Sequence, residues 1–306
     1  MLRFDYDSLT ALAAVVREGG FESAAKSLAI TQSAVSQRIK ALEEKVGSLL
    51  IIRGRPCVPT KIGLQLCRHL EQVTLLQHEL NQRVGNLVDG PDQSAATVRV
   101  SVNNDSLATW FPAVIKRAAE DLNMLFDVVP DDQEHTEGSL KSGDSLAIIT
   151  SNDQPTQGCR RISLGAMPYI AVANRQFFEE HFADGVSPRT LQGTSCLAFD
   201  RKDTIQEQWM NICFGETVSV KEHFVPSYEG YFACCLNGSG WGLVPATAAQ
   251  KFIDDGELIE LMPGKAVDVS LHWQASTQSS EILRRLGEVV LEEAMEVLLP
   301  DSYRPE

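Results

Sequence analysis

The sequence lacks the features that mark several common classes of protein. No run of 18 or more apolar residues occurs, so no segment is a candidate transmembrane helix. The N-terminus has no basic segment followed by an apolar stretch and a small-residue cleavage site, which disfavours export. The six histidines form no His-x-x-x-His or Glu-x-x-His pair, and Gly-x-Ser-x-Gly, Walker and dinucleotide motifs are missing. We therefore expect no enzyme activity, no metal or other cofactor and no membrane segment.

Paired cysteine spacings are also lacking. The seven cysteines are odd in number, and Cys234 and Cys235 are adjacent, so they cannot close a loop in the usual way. We expect reduced thiols in a cytoplasmic protein. A redox sensor built on Cys234 or Cys235 is an alternative, although a buried cysteine acting as a small apolar residue is favoured.

Basic residues are scarce overall but concentrated near the N-terminus. The net charge is -14. Residues 1–90 carry 11 basic and 9 acidic residues, for a net +2, whereas the rest carries 16 and 32, for a net -16. Between Lys26 and Lys61, seven basic residues oppose two acidic ones. The local positive potential of this segment attracts phosphate groups. A solvated basic face that binds no ligand is the alternative.

The first 60 residues predict a winged helix-turn-helix. A helix ends at Gly19, a short one covers Phe21 to Leu28, and Thr31 caps a third from Gln32 to Val46. A strand from Leu49 to Arg53 and a turn then predict a hairpin with arginines at its tip.

The third helix and the hairpin predict contacts with double-stranded DNA. Amide and hydroxyl groups near the start of the helix can reach base edges, whereas guanidinium and ammonium groups hold phosphates. The hairpin arginines suit the backbone or a narrow minor groove. For the two serines, direct base contact and mere close approach are equal alternatives. The candidate DNA-binding residues are Gln32, Ser33, Ser36, Gln37, Arg38, Lys40, Arg53, Arg55 and Thr60.

A long helix is predicted from Thr60 to about Val88. Its apolar residues keep a near-heptad seam with few other faces to bury, which favours a dimerisation helix over an internal core helix. The seam consists of Leu64, Leu70, Val73, Leu76, Leu80, Val84 and Leu87. Residues 89–94 are polar and contain Gly and Pro, and they predict a linker.

Beyond the linker, strands alternate with helices, which predicts an α/β domain with a mostly parallel sheet. Two similar α/β halves fit a bilobed binding domain whose ligand lies where the carboxyl ends of strands face each other. The predicted domains are therefore a DNA-binding domain at 1–60, a dimerisation helix at 61–90 and an effector-binding domain at 91–306. The second lobe is expected at about 165–265.

Polar residues follow the first strand of this domain and precede a helix. Backbone amides and Ser106 there could bind the carboxylate of a small molecule, whereas a cationic group of the ligand would need carboxylates. A capping role for Asp105 is the alternative. The candidate effector-binding residues are Asn103, Asn104, Asp105, Ser106, Thr150, Asp200, Asp203 and Glu229.

Several segments carry a family resemblance. Residues 21–28, 31–43, Arg53 and 59–63 resemble the N-terminal domain of LysR-type transcriptional regulators. Residues such as 102–110, 182–186 and 256–259 are similar to the ArgP/LysG branch, which controls basic amino acid export in response to arginine and lysine.

This resemblance implies a fold and a set of partners. The expected fold is a winged helix-turn-helix, a linker helix that dimerises, and a periplasmic-binding-protein-like effector domain of two Rossmann-like lobes. The expected partners are double-stranded DNA, an amino acid effector, other copies of the chain in a dimer or a dimer of dimers, and RNA polymerase. A metabolite-binding module without DNA function is the competing class.

Overall fold

The computed structural model describes residues 3–85, 95–131, 140, 145–276 and 281–300. The predicted linker at 89–94 lies outside these residues. Within the described ranges, no helix is both long enough and apolar enough to cross a bilayer.

The N-terminal domain has the three predicted helices, α1 (Tyr6–Glu18), α2 (Phe21–Ser27) and α3 (Gln32–Val46). Thr31 caps α3 by accepting a hydrogen bond from the Ala34 amide at 3.1 Å. The third helix ends at Gly47, whose φ of 74° is in the left-handed region. The buried core of this domain includes Leu9, Leu12, Val35, Ile39 and Leu42. The helix-turn-helix prediction is confirmed.

The hairpin after α3 has shorter strands than the sequence predicts. The strands β1 (Ile51–Ile52) and β2 (Val58–Pro59) form an antiparallel pair. The Leu50 amide instead donates to Glu43 Oε1 at 2.9 Å, and the Leu50 carbonyl accepts from the Thr60 amide at 2.9 Å. Because Glu43 of α3 takes the Leu50 amide, this amide cannot donate to the facing segment, and the ladder is limited to two residues per strand.

The long helix α4 (Lys61–Gly85) is present, but its apolar residues serve more than one surface. Leu66 and Cys67 pack into the core of the N-terminal domain. Leu75 is 3% exposed and belongs to the core of the C-terminal domain, whereas Leu76 is 53% exposed and Leu80 is 58% exposed. The helix therefore buries a second apolar face within the chain, which the sequence analysis did not expect, while the intermolecular role of the predicted seam stays a prediction. The predicted end near Val88 and the Leu87 side chain lie outside the described residues, as does the side chain of Val84.

The C-terminal domain is built on one seven-stranded sheet with the order β10-β6-β11-β5-β3-β4, to which β9 adds by pairing with β6. Its strands are β3 (Ala96–Asn103), β4 (Met124–Asp131), β5 (Ala147–Thr150), β6 (Cys159–Asn174), β9 (Gly242–Pro245), β10 (Leu258–Glu260) and β11 (Ala266–Ser276). A separate parallel pair contains β7 (Ser195–Ala198) and β8 (Lys221–Phe224).

The large sheet is less parallel than the alternation of elements predicts. The strand β3 is parallel to β4 and β5, but β6 is antiparallel to β9, β10 and β11, and β11 is antiparallel to β5. The reason is that β6 and β11 are long strands that run in opposite directions through both parts of the domain.

Eight described helices of this domain pack against the strands, and the helices and strands together form two buried apolar clusters. The helices are α5 (Asn104–Thr109), α6 (Phe111–Leu122), α7 (Arg175–His181), α8 (Pro188–Gln192), α9 (Ile205–Phe214), α10 (Tyr228–Leu236), α11 (Ala246–Asp254) and α12 (Glu281–Met295). One cluster includes Val100, Phe111 and Trp273, and a smaller one includes Leu197 and Phe232. The second cluster is formed by residues within the predicted second lobe.

Gly63 generates a prediction about the junction of α4 with the hairpin. A Cβ atom at this position would lie 2.1 Å from the Leu50 carbonyl oxygen. We expect Gly63→Ala to lower the free energy of unfolding by about 2 kcal/mol, because overpacking against backbone cannot be relieved by a side-chain movement. Gly20→Ala is the control, since a Cβ atom there meets nothing within 4 Å. Urea denaturation that gave equal losses for the two variants would contradict the prediction.

Candidate functional site

One face of α3 is free to contact another molecule. Val35, Ile39 and Leu42 bury the opposite face in the domain core. The predicted base-reading residues occupy positions three or four apart, which places them together on the helix surface. They are Gln32, Ser33, Ser36 and Gln37, of which Ser36 is half-buried and the others are exposed.

The two predicted phosphate-binding residues of α3, Arg38 and Lys40, have partners within the domain. Arg38 forms an ion pair with Asp7 of α1, with Nη2 and Oδ2 3.1 Å apart. Lys40 approaches Glu44 at 3.8 Å along the exposed surface of the same helix. A phosphate contact by Arg38 therefore competes with an existing partner, whereas an exposed pair such as Lys40 and Glu44 costs little to separate.

The hairpin is held against the start of α2. The Cys57 amide donates to the Gly19 carbonyl at 2.8 Å, and the guanidinium carbon of Arg53 lies 5.2 Å from the centre of the Phe21 ring. This cation–π contact positions Arg53 beside the helix-turn-helix. Sequence reasoning did not identify Phe21, because nothing in the local pattern indicates which ring faces the hairpin.

Arg55 and Thr60 have different surroundings. Arg55 is exposed at the tip of the hairpin. The Thr60 hydroxyl donates to the Leu49 carbonyl at 2.9 Å and accepts from the Gly63 amide at 3.1 Å. Thr60 therefore joins the hairpin to α4 as a helix cap, and its hydroxyl group is engaged within the domain.

A cleft of about 220 Å³ lies in the C-terminal domain, where the carboxyl ends of β3, β5, β7 and β9 converge. This is the position in which α/β proteins commonly bind small molecules. Its lining residues come from the start of α5, the loop between β7 and α9, the inner face of α10, and the strands β6, β9 and β11.

The cleft brings together most of the predicted effector-binding residues. Asn103, Asn104, Asp105, Asp200 and Asp203 all line it. They are separated by about 100 residues in the sequence, so their convergence is a property of the tertiary structure.

The remaining predicted residues lie elsewhere. Ser106 is fully buried and does not line the cleft. Thr150 is also buried, and its hydroxyl accepts from the Asn152 amide at 3.1 Å. Glu229 is exposed, because Tyr228 and Phe232, one turn apart on α10, face the cleft and turn Glu229 away from it.

Asp200 and Asp203 shape the loop that crosses the cleft. Asp200 Oδ1 accepts hydrogen bonds from the amides of Lys202 and Asp203 at 2.7 and 3.0 Å. Asp203 accepts from the amides of Phe199 and Ile205 at 2.9 and 3.2 Å and from the Gln206 side-chain amide at 3.1 Å. A carboxylate offers about four lone pairs, so both groups keep acceptor capacity for a ligand.

Asp105 is the most perturbed acid of the cleft. Its Oδ2 atom accepts a hydrogen bond from the Tyr169 hydroxyl at 2.5 Å. Burial raises the pKa of Asp105, the Tyr169 hydrogen bond lowers it, and the negative charge of Asp203 raises it, with a net increase above the usual value. Asp105, Asp200 and Asp203 thus place three acidic side chains on the lining of one cleft, which favours the binding of a cationic group there.

Sequence reasoning missed the aromatic wall and the lysine of this cleft. Tyr169, Tyr228 and Tyr231 line it together with Lys202. Tyr169 lies inside a strand and the other two tyrosines on one face of a helix, where an aromatic residue is indistinguishable from a core residue by pattern alone.

Comparison with known families agrees with both sites. A model described as a bacterial regulatory helix-turn-helix protein of the lysR family matches residues 6–64, and the LysR substrate binding domain matches residues 91–295. The chain belongs to the LysR family of bacterial regulators. It is therefore a DNA-binding transcriptional regulator with an effector-binding domain, as the sequence resemblance implied.

Several relatives that match nearly the whole length of this chain are members of the ArgP/LysG branch of the LysR family. The chain is 38% identical to the transcriptional regulator ArgP of Pseudomonas aeruginosa, across 96% of this chain and 97% of that protein. The crystal structure of ArgP from Mycobacterium tuberculosis is similar with a TM-score of 0.75 and 35% identity, covering 98% and 100% of the two chains. LysG of Corynebacterium glutamicum with bound effector Arg has a TM-score of 0.64 and 32% identity, covering 97% and 100%.

The α3 face and the hairpin generate a prediction about DNA recognition. We expect Gln32→Ala to cost roughly 1–3 kcal/mol at one base pair, because a base-reading amide is lost, and to leave the other positions unchanged. We expect Arg53→Ala to weaken binding to all sequences alike and to reduce the salt dependence, because a guanidinium group near the phosphates is lost.

The measurement is selection of binding sites from random DNA, followed by titration of each variant at several salt concentrations. Arg189→Ala is the control, since Arg189 is exposed on α8 of the C-terminal domain. If both test variants kept the wild-type affinity and base preference, we would conclude that α3 and the hairpin do not contact the DNA.

Proposed function

We propose that this LysR-type regulator controls genes of amino acid export or metabolism and is switched by a basic amino acid, arginine or lysine, bound in the described cleft. The observation that carries the proposal is the convergence of Asp105, Asp200 and Asp203 on the lining of one cleft. A cationic side chain can be paired with these acidic groups, whereas a neutral side chain leaves their charges uncompensated.

The charges of the cleft fit both ends of an amino acid. Three aspartates line it, and they match a guanidinium or ammonium group together with the α-ammonium group. Lys202 and the amides of Asn103 and Asn104 offer donors for the α-carboxylate. LysG of Corynebacterium glutamicum binds arginine as its effector, which supports this class of ligand for a chain 32% identical to it.

Thiol chemistry has less support than effector binding. Burial raises the pKa of the Cys235 thiol to about 12, and burial raises the pKa of Cys196 and Cys67 to about 12 as well. A thiol with such a pKa is almost entirely protonated at neutral pH and is a poor nucleophile. The raised pKa therefore argues against a redox sensor at Cys235, the buried member of the adjacent pair Cys234 and Cys235.

We further propose that the active form is a dimer, or a dimer of dimers, held by the outer face of α4. Leu76 and Leu80 are exposed on that face, one turn apart. The neighbouring Leu75 is buried in the core of the C-terminal domain. Two copies joined in this way would present two α3 helices to successive major grooves about 34 Å apart. Such an assembly gives the effector a way to alter DNA binding, because it can favour one spacing over another.

The acidic cleft generates a prediction about effector binding and pH. We expect arginine to bind the wild-type protein more tightly than citrulline, which has a neutral urea group in place of the guanidinium group. Asp105→Asn should remove most of this preference, because it keeps the size of the side chain but removes its charge. Since the pKa of Asp105 is raised, its ionised form is gained as pH rises, so arginine affinity should increase with pH above the usual range of an aspartate.

Calorimetric titration of both ligands at several pH values measures this preference. Glu229→Gln is the matched control, because Glu229 is an exposed acid outside the cleft. Equal affinities of the wild-type protein for arginine and citrulline would contradict the assignment of a basic effector.

The outer face of α4 generates a prediction about assembly. We expect Leu76→Asp to dissociate the dimer, because a carboxylate in an apolar interface costs several kcal/mol. The monomer should still fold, because Leu76 is exposed within one chain. Light scattering compares this variant with Ile212→Asp, which changes a similarly exposed residue on α9. An unchanged mass for Leu76→Asp would exclude this face of α4 from the interface.

A further inference from the structure

Tyr169 occupies a rigid position beside the cleft. It lies in the interior of the sheet, where β6 pairs with Val267 of β11 on one side and with Pro245 of β9 on the other. Its side chain is only 8% exposed. The position of its hydroxyl group is therefore fixed by two neighbouring strands and by the surrounding core, which is the arrangement that a preorganised binding site requires.

The Tyr169 hydroxyl is directed at a single carboxylate. It donates its hydrogen to Asp105 Oδ2 at 2.5 Å. Asp105 lies in the first turn of α5, directly after β3, so the bond joins an element at one side of the cleft to the long strand that continues to the other side. A phenol has one hydrogen to donate, and here that hydrogen is given to the acid.

This hydrogen bond opposes the other influences on Asp105. Burial and the charge of Asp203 both favour the protonated acid, whereas a donated hydrogen bond favours the ionised carboxylate. A protonated Asp105 would be neutral and could not compensate a cationic ligand. Among the described contacts of Asp105, the hydrogen bond from the Tyr169 hydroxyl therefore favours the ionised carboxylate that cation binding needs.

Among the described residues, the charged and titratable groups that share the cleft with Asp105 are Tyr169, Asp200, Lys202, Asp203, Tyr228 and Tyr231. On the elements packed behind α5, Arg99 pairs with Asp127 at 3.4 Å and Arg117 pairs with Glu293 at 3.1 Å, while Lys116 and Glu120 are exposed.

We propose that Tyr169 is a positioning residue for effector recognition, whose hydroxyl group holds Asp105 in the orientation and charge state that a cationic effector needs. This inference rests on the proposed function of the cleft. It assigns to Tyr169 a part of the selection for basic over neutral amino acids, although Tyr169 acts through Asp105 and need not touch the cationic group itself.

The test uses Tyr169→Phe in the full-length protein, with arginine and citrulline as the probes. Calorimetric titrations run from about pH 4, close to the ordinary pKa of an aspartate, to about pH 8. We expect arginine affinity to fall about tenfold at the acidic end, which equals about 1.4 kcal/mol, and the loss to shrink as pH rises and Asp105 ionises without help. Citrulline affinity should change less than about twofold at every pH, because a neutral ligand does not need the charge.

Two further variants separate positioning from a general structural effect. Tyr231→Phe removes a hydroxyl group that also lines the cleft but bonds the Leu197 carbonyl and the Leu243 amide, so its effect on arginine should not vary with pH. In an Asp105→Asn background, Tyr169→Phe should cause no additional loss of arginine affinity, since the residue through which it acts has lost its charge.

The outcomes distinguish this inference from the proposed function. The role of Tyr169 would be overturned if the loss of arginine affinity in Tyr169→Phe were equal at all pH values. It would also be overturned if this loss added fully to the loss in Asp105→Asn. In either case, arginine binding by the wild-type protein would still support the proposed function. Failure of the wild-type protein to bind either arginine or lysine would overturn the proposed function and this inference with it.

Discussion

The antiparallel pairing of β6 with β11 is the constraint on which the C-terminal domain depends. The two strands pair from Ala266↔Ile170 to Ser276↔Cys159, with one register shift at Leu271/His272. Opposite this shift, Gly165 has a φ of 108°, and a Cβ atom there would lie 2.4 Å from the Leu299 carbonyl oxygen. The glycine thus lets residue 299 pair with Ala166 and close the sheet. This shared pair of strands carries both buried clusters and fixes the cleft between them.

Charge is divided along the chain in a way that suits two opposite ligands. The N-terminal 90 residues are slightly basic, and their exposed amides and arginines face outward, where a polyanion can approach. The remainder carries a net charge of -16 and concentrates Asp105, Asp200 and Asp203 in a confined space. The overall acidity therefore says little about DNA binding, because the local field and not the mean charge acts on each ligand.

The helix α4 links these two regions mechanically. Its 25 residues extend for about 37 Å, and one end is packed into the N-terminal core through Leu66 and Cys67. Its middle is packed against the C-terminal domain through Leu75, while Leu76 and Leu80 remain on the outer surface. One helix therefore contacts both domains and keeps an exposed apolar surface, which we propose to be the dimer interface. A change in the cleft could reach the DNA-binding domain through this helix, because it packs against both domains.

The sequence by itself determined the elements whose causes are local. The cap at Thr31, the left-handed glycine at Gly47 and the apolar stripe of α3 act over a few residues, so the helix-turn-helix and its exposed face could be predicted. Only the tertiary structure decided the extent of the parallel pairing, the exclusion of Glu229 from the cleft and the contact of Tyr169 with Asp105. These depend on strand register and on helix rotation, which bring together residues 64 positions apart, and a local pattern carries no information about such contacts.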